Sequence, residues 1–197
     1  MNKQMIISIG REYGANGHYI ADKLAEKYSL PVYDSHMIEY IAKEKNLDLS
    51  NLKKYDEKMK NRLFSRTVDG HSSSPEDAIA EMQFDFLREK AAAGESFVVV
   101  GRCANSVLKD NPNLISIFVT GDMEVKAKRI SALFNVTIKE AEAMIIKNNR
   151  KRKQYHNHYS KEKWGDSRYY ELTINTSKIG VEKAFEIVDA YVQSRMI

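Results

Sequence analysis

The sequence predicts an α/β fold, a mostly parallel five-stranded sheet flanked by helices on both faces. Three observations carry this: five short apolar runs of strand length, amphipathic helical stretches between them, and a glycine-bearing turn directly after the first run. A chain of 197 residues buries one sizeable core and is too short for two ordinary enzyme domains, so residues 1–197 read as a single domain.

The first strand is Met5 to Gly10, and the helix after it carries Ile20, Leu24 and Ala25 on one face. Leu30 to Tyr33 is the second strand, followed by a helix from Met37 to Lys43 for which the Asp34-Ser35 pair suits the N-cap. From Asn46 to about Ser74 the chain turns polar and leaves the core. A new helix starts at Ser74-Pro75-Glu76-Asp77, with proline at the first helical position and acids in the first turn. It runs through Ile79, Met82, Phe86 and Leu87 to Gly94. Phe97 to Val100 (FVVV) is the most strand-like run in the chain and is expected to be a central, doubly covered strand. Leu114 to Val119 makes a fourth strand, and Asp122 caps a helix carrying Val125, Ala127, Ile130 and Leu133. Thr137 and Glu140 form a capping box that opens a helix through Ile146. Lys147 to Lys163, with seven Lys or Arg against one Glu, reads as a second departure from the core. Leu172 to Ile174 is the fifth strand, and Val181 to Val192 a closing amphipathic helix.

Composition narrows the function classes. A content of 43% hydrophobic and 29% charged residues fits a water-soluble globular chain. No apolar run approaches the roughly 20 residues that a membrane span needs. Without a secretory leader pattern, and with Cys103 as its one cysteine, the chain is expected to be cytoplasmic, with no membrane partner. A net charge of +4 is weaker than a dedicated nucleic-acid binder shows, so nucleic acid is not the expected partner.

The turn after the first strand reads Gly10-Arg11-Glu12-Tyr13-Gly14-Ala15-Asn16-Gly17-His18-Tyr19. Glycines at this spacing let successive N–H groups face one concavity at a helix N-terminus, which suits an anion. Neither G-x-x-x-x-G-K-[ST] nor G-x-G-x-x-G is matched literally, and a plain glycine-rich turn is the competing reading.

Five segments together resemble the cytidylate kinase-like family: Ile7 to Ile20, Pro31-Val32-Tyr33-Asp34, Val98 to Arg102, Trp164-Gly165-Asp166 and Ile174 to Ser177. They fall in that family's order over nearly the whole chain. The resemblance implies a P-loop nucleoside monophosphate kinase-like fold, ATP as donor with magnesium, and a small phosphate acceptor such as CMP. It also implies a helical acceptor-side insert at about residues 36–75 and a basic lid at about 148–168. At the position of the catalytic lysine of true bacterial cytidylate kinases, this chain has Gly17.

Mapped onto this sequence, the nucleotide-phosphate set is Arg11, Gly14, Ala15, Asn16, Gly17, His18 and Tyr19. Arg11 or His18 can stand in for the missing ammonium, because guanidinium grips phosphate in bidentate fashion and an imidazolium pairs with it. Tyr19 stands where the resemblance places the magnesium-side hydroxyl, but a phenol suits the octahedral shell poorly and no metal ligand is assigned. Arg102, Arg150 and Arg152 are the candidate catalytic cations. Asp34, Ser35, Arg102 and Asp166 are the candidate acceptor contacts. Helix capping for Asp34 and Ser35, a turn role for Asp166, and a solvated charged loop for the basic run remain open beside these roles. Cys103 reads as a packing residue, and His156 with His158 lack the third ligand that a metal site requires.

Three functions compete on these residues. The first is phosphoryl transfer from ATP to a nucleoside monophosphate. The second is a nucleotide-binding regulatory protein with weak or no kinase activity, favoured by Gly17 and Tyr19. The third is an RNA-binding module built on the basic and aromatic stretch from Lys147 to Tyr159. The oligomeric state is not legible from the sequence.

Overall fold

The computed structural model describes residues 3–53, 67–68, 71–72 and 75–196. Five strands form one all-parallel sheet: β1 (Ile6–Arg11), β2 (Val32–Tyr33), β5 (Phe97–Val100), β6 (Leu114–Thr120) and β7 (Leu172–Asn175), in the order β2-β5-β1-β6-β7. A separate antiparallel hairpin pairs β3 (Thr67–Val68) with β4 (His71–Ser72). The helices are α1 (Gly17–Tyr28), α2 (Met37–Glu44), α3 (Leu49–Lys53), α4 (Pro75–Ala92), α5 (Ala104–Val107), α6 (Met123–Phe134), α7 (Ile138–Tyr159), α8 (Thr176–Ile179) and α9 (Val181–Arg195).

The period of two along a strand sorts the core into two layers. Ile7, Ile9, Val98 and Val100 face a cluster with Ile20 and Leu24 of α1 and Val188 and Val192 of α9. Ile6, Phe97 and Val99 face the opposite cluster, with Met37 and Ile41 of α2, Phe86 and Leu87 of α4, and Ala104 of α5. Covered on both sides, β1 and β5 read as continuous apolar runs.

The FVVV run is an interior strand covered on both faces, as expected, next to β1 in the middle of the sheet. The element sequence follows the expected one, with three differences. His36, rather than Asp34 or Ser35, is the N-cap of α2, although Asp34 Oδ1 accepts from the His36 N–H at 2.8 Å. Asp122 is the N-cap residue of α6 but gives it no side-chain bond, because its carboxylate is engaged by Asn175 and Lys178. The capping box of Thr137 and Glu140 is formed, but α7 does not stop near Ile146; it continues to Tyr159. The basic run is therefore largely helical. Of the stretch expected as an acceptor-side insert, residues 54–66, 69–70 and 73–74 lie outside the described residues.

Candidate active site

The carboxyl ends of β1 and β5 open into a cleft of about 540 Å³, the place where open α/β sheets hold ligands. Its floor is Ser8, Gly10, Val100 and Gly101. Arg102, Cys103 and Asn105 form one wall, Trp164 and Tyr170 another, and Asn148, Lys151, Arg152, Tyr155 and His156 of α7 the roof. Arg11, His18 and Ser35 stand with them along the lining. Four side chains in this lining are Lys or Arg, and among the described lining residues none is Asp or Glu. Such a cleft attracts a ligand with several negative charges.

The loop between β1 and α1 is shaped by left-handed backbone at Gly14 (φ 82°) and Asn16 (φ 62°). Several of its groups are tied down. Glu12 N–H donates to Val119 O at 2.9 Å, and Ala15 O accepts from Thr176 Oγ1 at 3.1 Å. Gly14 O accepts from Arg129. Glu12 anchors the loop to β6: its carboxylate meets Lys126 Nζ at 2.5 Å, Thr120 Oγ1 at 2.8 Å and Gly121 N at 3.2 Å. Asn16 gives α1 no side-chain cap. Among the described residues, nothing accepts from the N–H groups of Asn16, Gly17 or His18, which leaves the start of α1 available to an anion.

Arg11 crosses the mouth of the cleft. Its Cβ lies where a side chain on Gly17 would begin, 2.5 Å from that ideal Cβ position, and its guanidinium lies against Gly101. Gly101, Arg102 and Cys103 follow β5 with φ of 78°, 56° and 53°. This costly left-handed run turns the chain so that buried Arg102 lies in the cleft wall beside Ser35, whose carbonyl it meets at 3.5 Å. Burial pushes the Cys103 thiol up to about 12, so it is a packing residue and not a thiolate nucleophile.

The roof helix is docked directly onto the loop. Asn149 Oδ1 accepts from Tyr13 N–H at 2.7 Å, Arg152 Nη1 donates to Arg11 O at 3.1 Å, and the Arg152 guanidinium sits 5.5 Å from the centre of the Tyr13 ring. Farther along the same face, buried His156 meets Asn105 Oδ1 at 3.2 Å, and Tyr159 donates to Asp77 at 2.7 Å. Positions 149, 152, 156 and 159 recur at helical spacing and so share the inner face.

The structure places several sequence candidates elsewhere. Tyr19 turns its hydroxyl to Glu182 at 2.5 Å, so its side chain does not face the cleft. The carboxylate of Asp166 is occupied by Arg168, at 2.9 and 2.5 Å, and this partner holds it down at about 2. Arg150 is exposed and lies outside the lining, whereas its neighbour Lys151 is in it. Asp34 borders an adjoining hollow with His18, 3.5 Å away, and His36. Arg11, His18, Ser35, Arg102 and Arg152 all lie along the lining of one cleft.

The pattern of the cytidylate kinase-like family matches residues 6–178 of this chain. The chain belongs to the cytidylate kinase-like family. Cytidylate kinase of Methanocaldococcus jannaschii is 30% identical to it, over 96% of this chain and 98% of the relative. That of Methanococcus vannielii is 29% identical, over 94% and 98%. A crystal structure of an uncharacterized protein from Eubacterium ventriosum, 38% identical, superposes with a TM-score of 0.77 and covers 97% of this chain and 99% of that one. Shikimate kinase from Bacteroides thetaiotaomicron, 14% identical, matches with a TM-score of 0.55 over 96% and 98%, which speaks for the shared kinase fold alone. The protein is a cytidylate-kinase-like phosphotransferase, and it shares its fold with solved kinases.

For this kinase, sequence reasoning missed Ser8, Asn105, Trp164 and Tyr170 as lining residues. Ser8 carried a signal, being the one polar residue within the apolar run Met5 to Ile9. Among the described residues no helix is long and apolar enough to cross a membrane.

Proposed function

We propose that this protein transfers the γ-phosphoryl group of ATP to the phosphate of a nucleoside monophosphate, with CMP as the preferred acceptor. One observation carries the reading: beside an open helix start, the cleft gathers Arg11, Arg102, Lys151 and Arg152 with no carboxylate among its described lining residues. An alcohol acceptor needs a base to take its proton, whereas a monophosphate attacks through an oxygen that is already ionised. The attacking oxygen bonds to the γ-phosphorus, the bond to the β-bridging oxygen breaks, and ADP leaves with that electron pair. The N–H groups of Asn16 to His18 hold donor phosphate. Arg102 and Ser35, at the ends of β5 and β2, meet the acceptor, with Asp34 beside them. Arg11, Lys151 and Arg152 offset the charge between the two. Residues 148–168 act as the lid that excludes water, and residues 36–75 as the acceptor-side insert.

Magnesium neutralises phosphate charge when it accompanies ATP. Among the described residues, however, no cluster of three His, Cys, Asp or Glu is placed to hold a metal ion, and the Tyr19 hydroxyl is committed to Glu182. An ion of this kind is held largely by phosphate oxygens and water, so it would enter with the nucleotide.

The test is purified protein with ATP, magnesium and each nucleoside monophosphate in turn, read as acceptor-dependent ADP formation. Fastest turnover with CMP is the expected result, and no ADP with any of them sinks the proposal. Because Gly17 replaces the usual lysine, a nucleotide-binding regulatory role is the second reading; tight ATP binding without turnover selects it.

A further inference from the structure

The loop of this kinase lacks a lysine at the start of α1, yet no side chain can be added there. A Cβ built on Gly17 lies 2.5 Å from Arg11 Cβ, 3.0 Å from Arg11 Cγ and 3.4 Å from Val119 Cβ. At the other end of the same side chain, a Cβ on Gly101 collides with Arg11 Nη1 and lies 3.2 Å from its Cζ. Two glycines on different elements are thus filled by one arginine. Its stem lies over the first residue of α1, and its guanidinium lies against Gly101, in the cleft that Arg102 also lines.

We infer that Arg11 is the phosphate-loop cation of this protein, reaching in from the end of β1 into the space that a lysine at position 17 would use, and that Gly17 is its obligatory counterpart. This rests on the phosphoryl-transfer reading above. The difference from an ammonium is chemical as well as positional. A guanidinium is a planar fork that binds two phosphate oxygens at once and keeps its charge at any working pH. Spanning from the open helix start to Gly101, it stands between the donor side and the Arg102 side of the cleft, where charge accumulates during transfer. Arg152, bonded to the Arg11 carbonyl at 3.1 Å, adds a second guanidinium from above.

The experiment measures kcat, KM for ATP and equilibrium ATP binding for four variants, each checked for folding by its thermal midpoint. Arg11→Met keeps the stem against Gly17 and removes the charge; it is expected to lower kcat by about 100-fold or more. Gly17→Lys alone is expected to lose activity, because Arg11 occupies the space. Arg11→Gly with Gly17→Lys is expected to exceed Arg11→Gly alone by at least about tenfold in kcat/KM, since it moves the cation to the helix. Arg11→Met within about threefold of wild type in both kcat and ATP affinity overturns the inference, as does a double variant no better than Arg11→Gly. Wild type that binds ATP without turnover overturns the transfer reading alone; Arg11→Met then tests the inference by its ATP affinity. Wild type with neither turnover nor ATP affinity overturns both.

Discussion

Histidine 156 shows how one buried side chain sets a condition on the whole fold. Burial on the inner face of α7 holds its imidazole below the ordinary range, so the native protein keeps it neutral. In the unfolded chain it takes up a proton near pH ~6.5. Above that value its burial costs no deprotonation, and as pH falls below it the unfolded state binds the extra proton and stability is lost. Thermal midpoints taken from mildly alkaline to mildly acidic pH should therefore fall in this window. His156→Gln should flatten the fall, and identical slopes for the two proteins contradict the assignment. The residue was visible in the sequence as one of a closely spaced histidine pair, but nothing local distinguished it from exposed His158. Its partner Asn105 is 51 residues away in the chain.

Among the elements, the β1–α1 loop depends on an ion pair set into the sheet rim. Lys126, nearly inaccessible at 4% side-chain exposure, meets Glu12 at 2.5 Å. Removing the carboxylate leaves a buried charge without its partner, which costs roughly 3–5 kcal/mol. Glu12→Ala should lower the urea midpoint accordingly, and Glu12→Ala with Lys126→Met should recover much of the loss. If Glu12→Ala unfolds at the wild-type midpoint, the loop is anchored by other bonds. Strands and capped helices were legible because their signals are local: the apolar runs at 6–11 and 97–100 and the Thr137 capping box each lie within a few residues. The second half of α7 was not. From Lys147 onward it has almost no aliphatic period, and its inner face is made of Asn149, Arg152, His156 and Tyr159, which find partners only on distant elements. The glycine spacing pointed to a phosphate turn, but the route of Arg11 across Gly17 to Gly101 depends on how β1 and β5 pair.

For the whole molecule, the modest net charge of +4 conceals its distribution, since Arg11, Arg102, Lys151 and Arg152 converge on one cleft. Nucleotide affinity should weaken as salt is raised, because screening acts on charges that ligand and cleft bring together. ATP should also raise the thermal midpoint, with about 2.7 kcal/mol of added stability at 100 times its Kd. An affinity unchanged by salt, or an unmoved midpoint, counts against this cleft as the nucleotide site. The sheet order was the least legible feature at this scale: both FVVV and the opening strand are largely apolar, and only the pairing of β1 with β6 as well as β5 puts β1 in the middle.

The 22 residues of α7 form one continuous rod, about 33 Å long. Side chains carried on a stiff spar cannot be dealt out to a visitor one after another. Lys151, Arg152 and the Asn149 latch on Tyr13 therefore keep one fixed spacing along it. In the proposed lid role, a guest would therefore have to engage Lys151 and Arg152 as one unit, and one bearing too little charge to do so would gain neither.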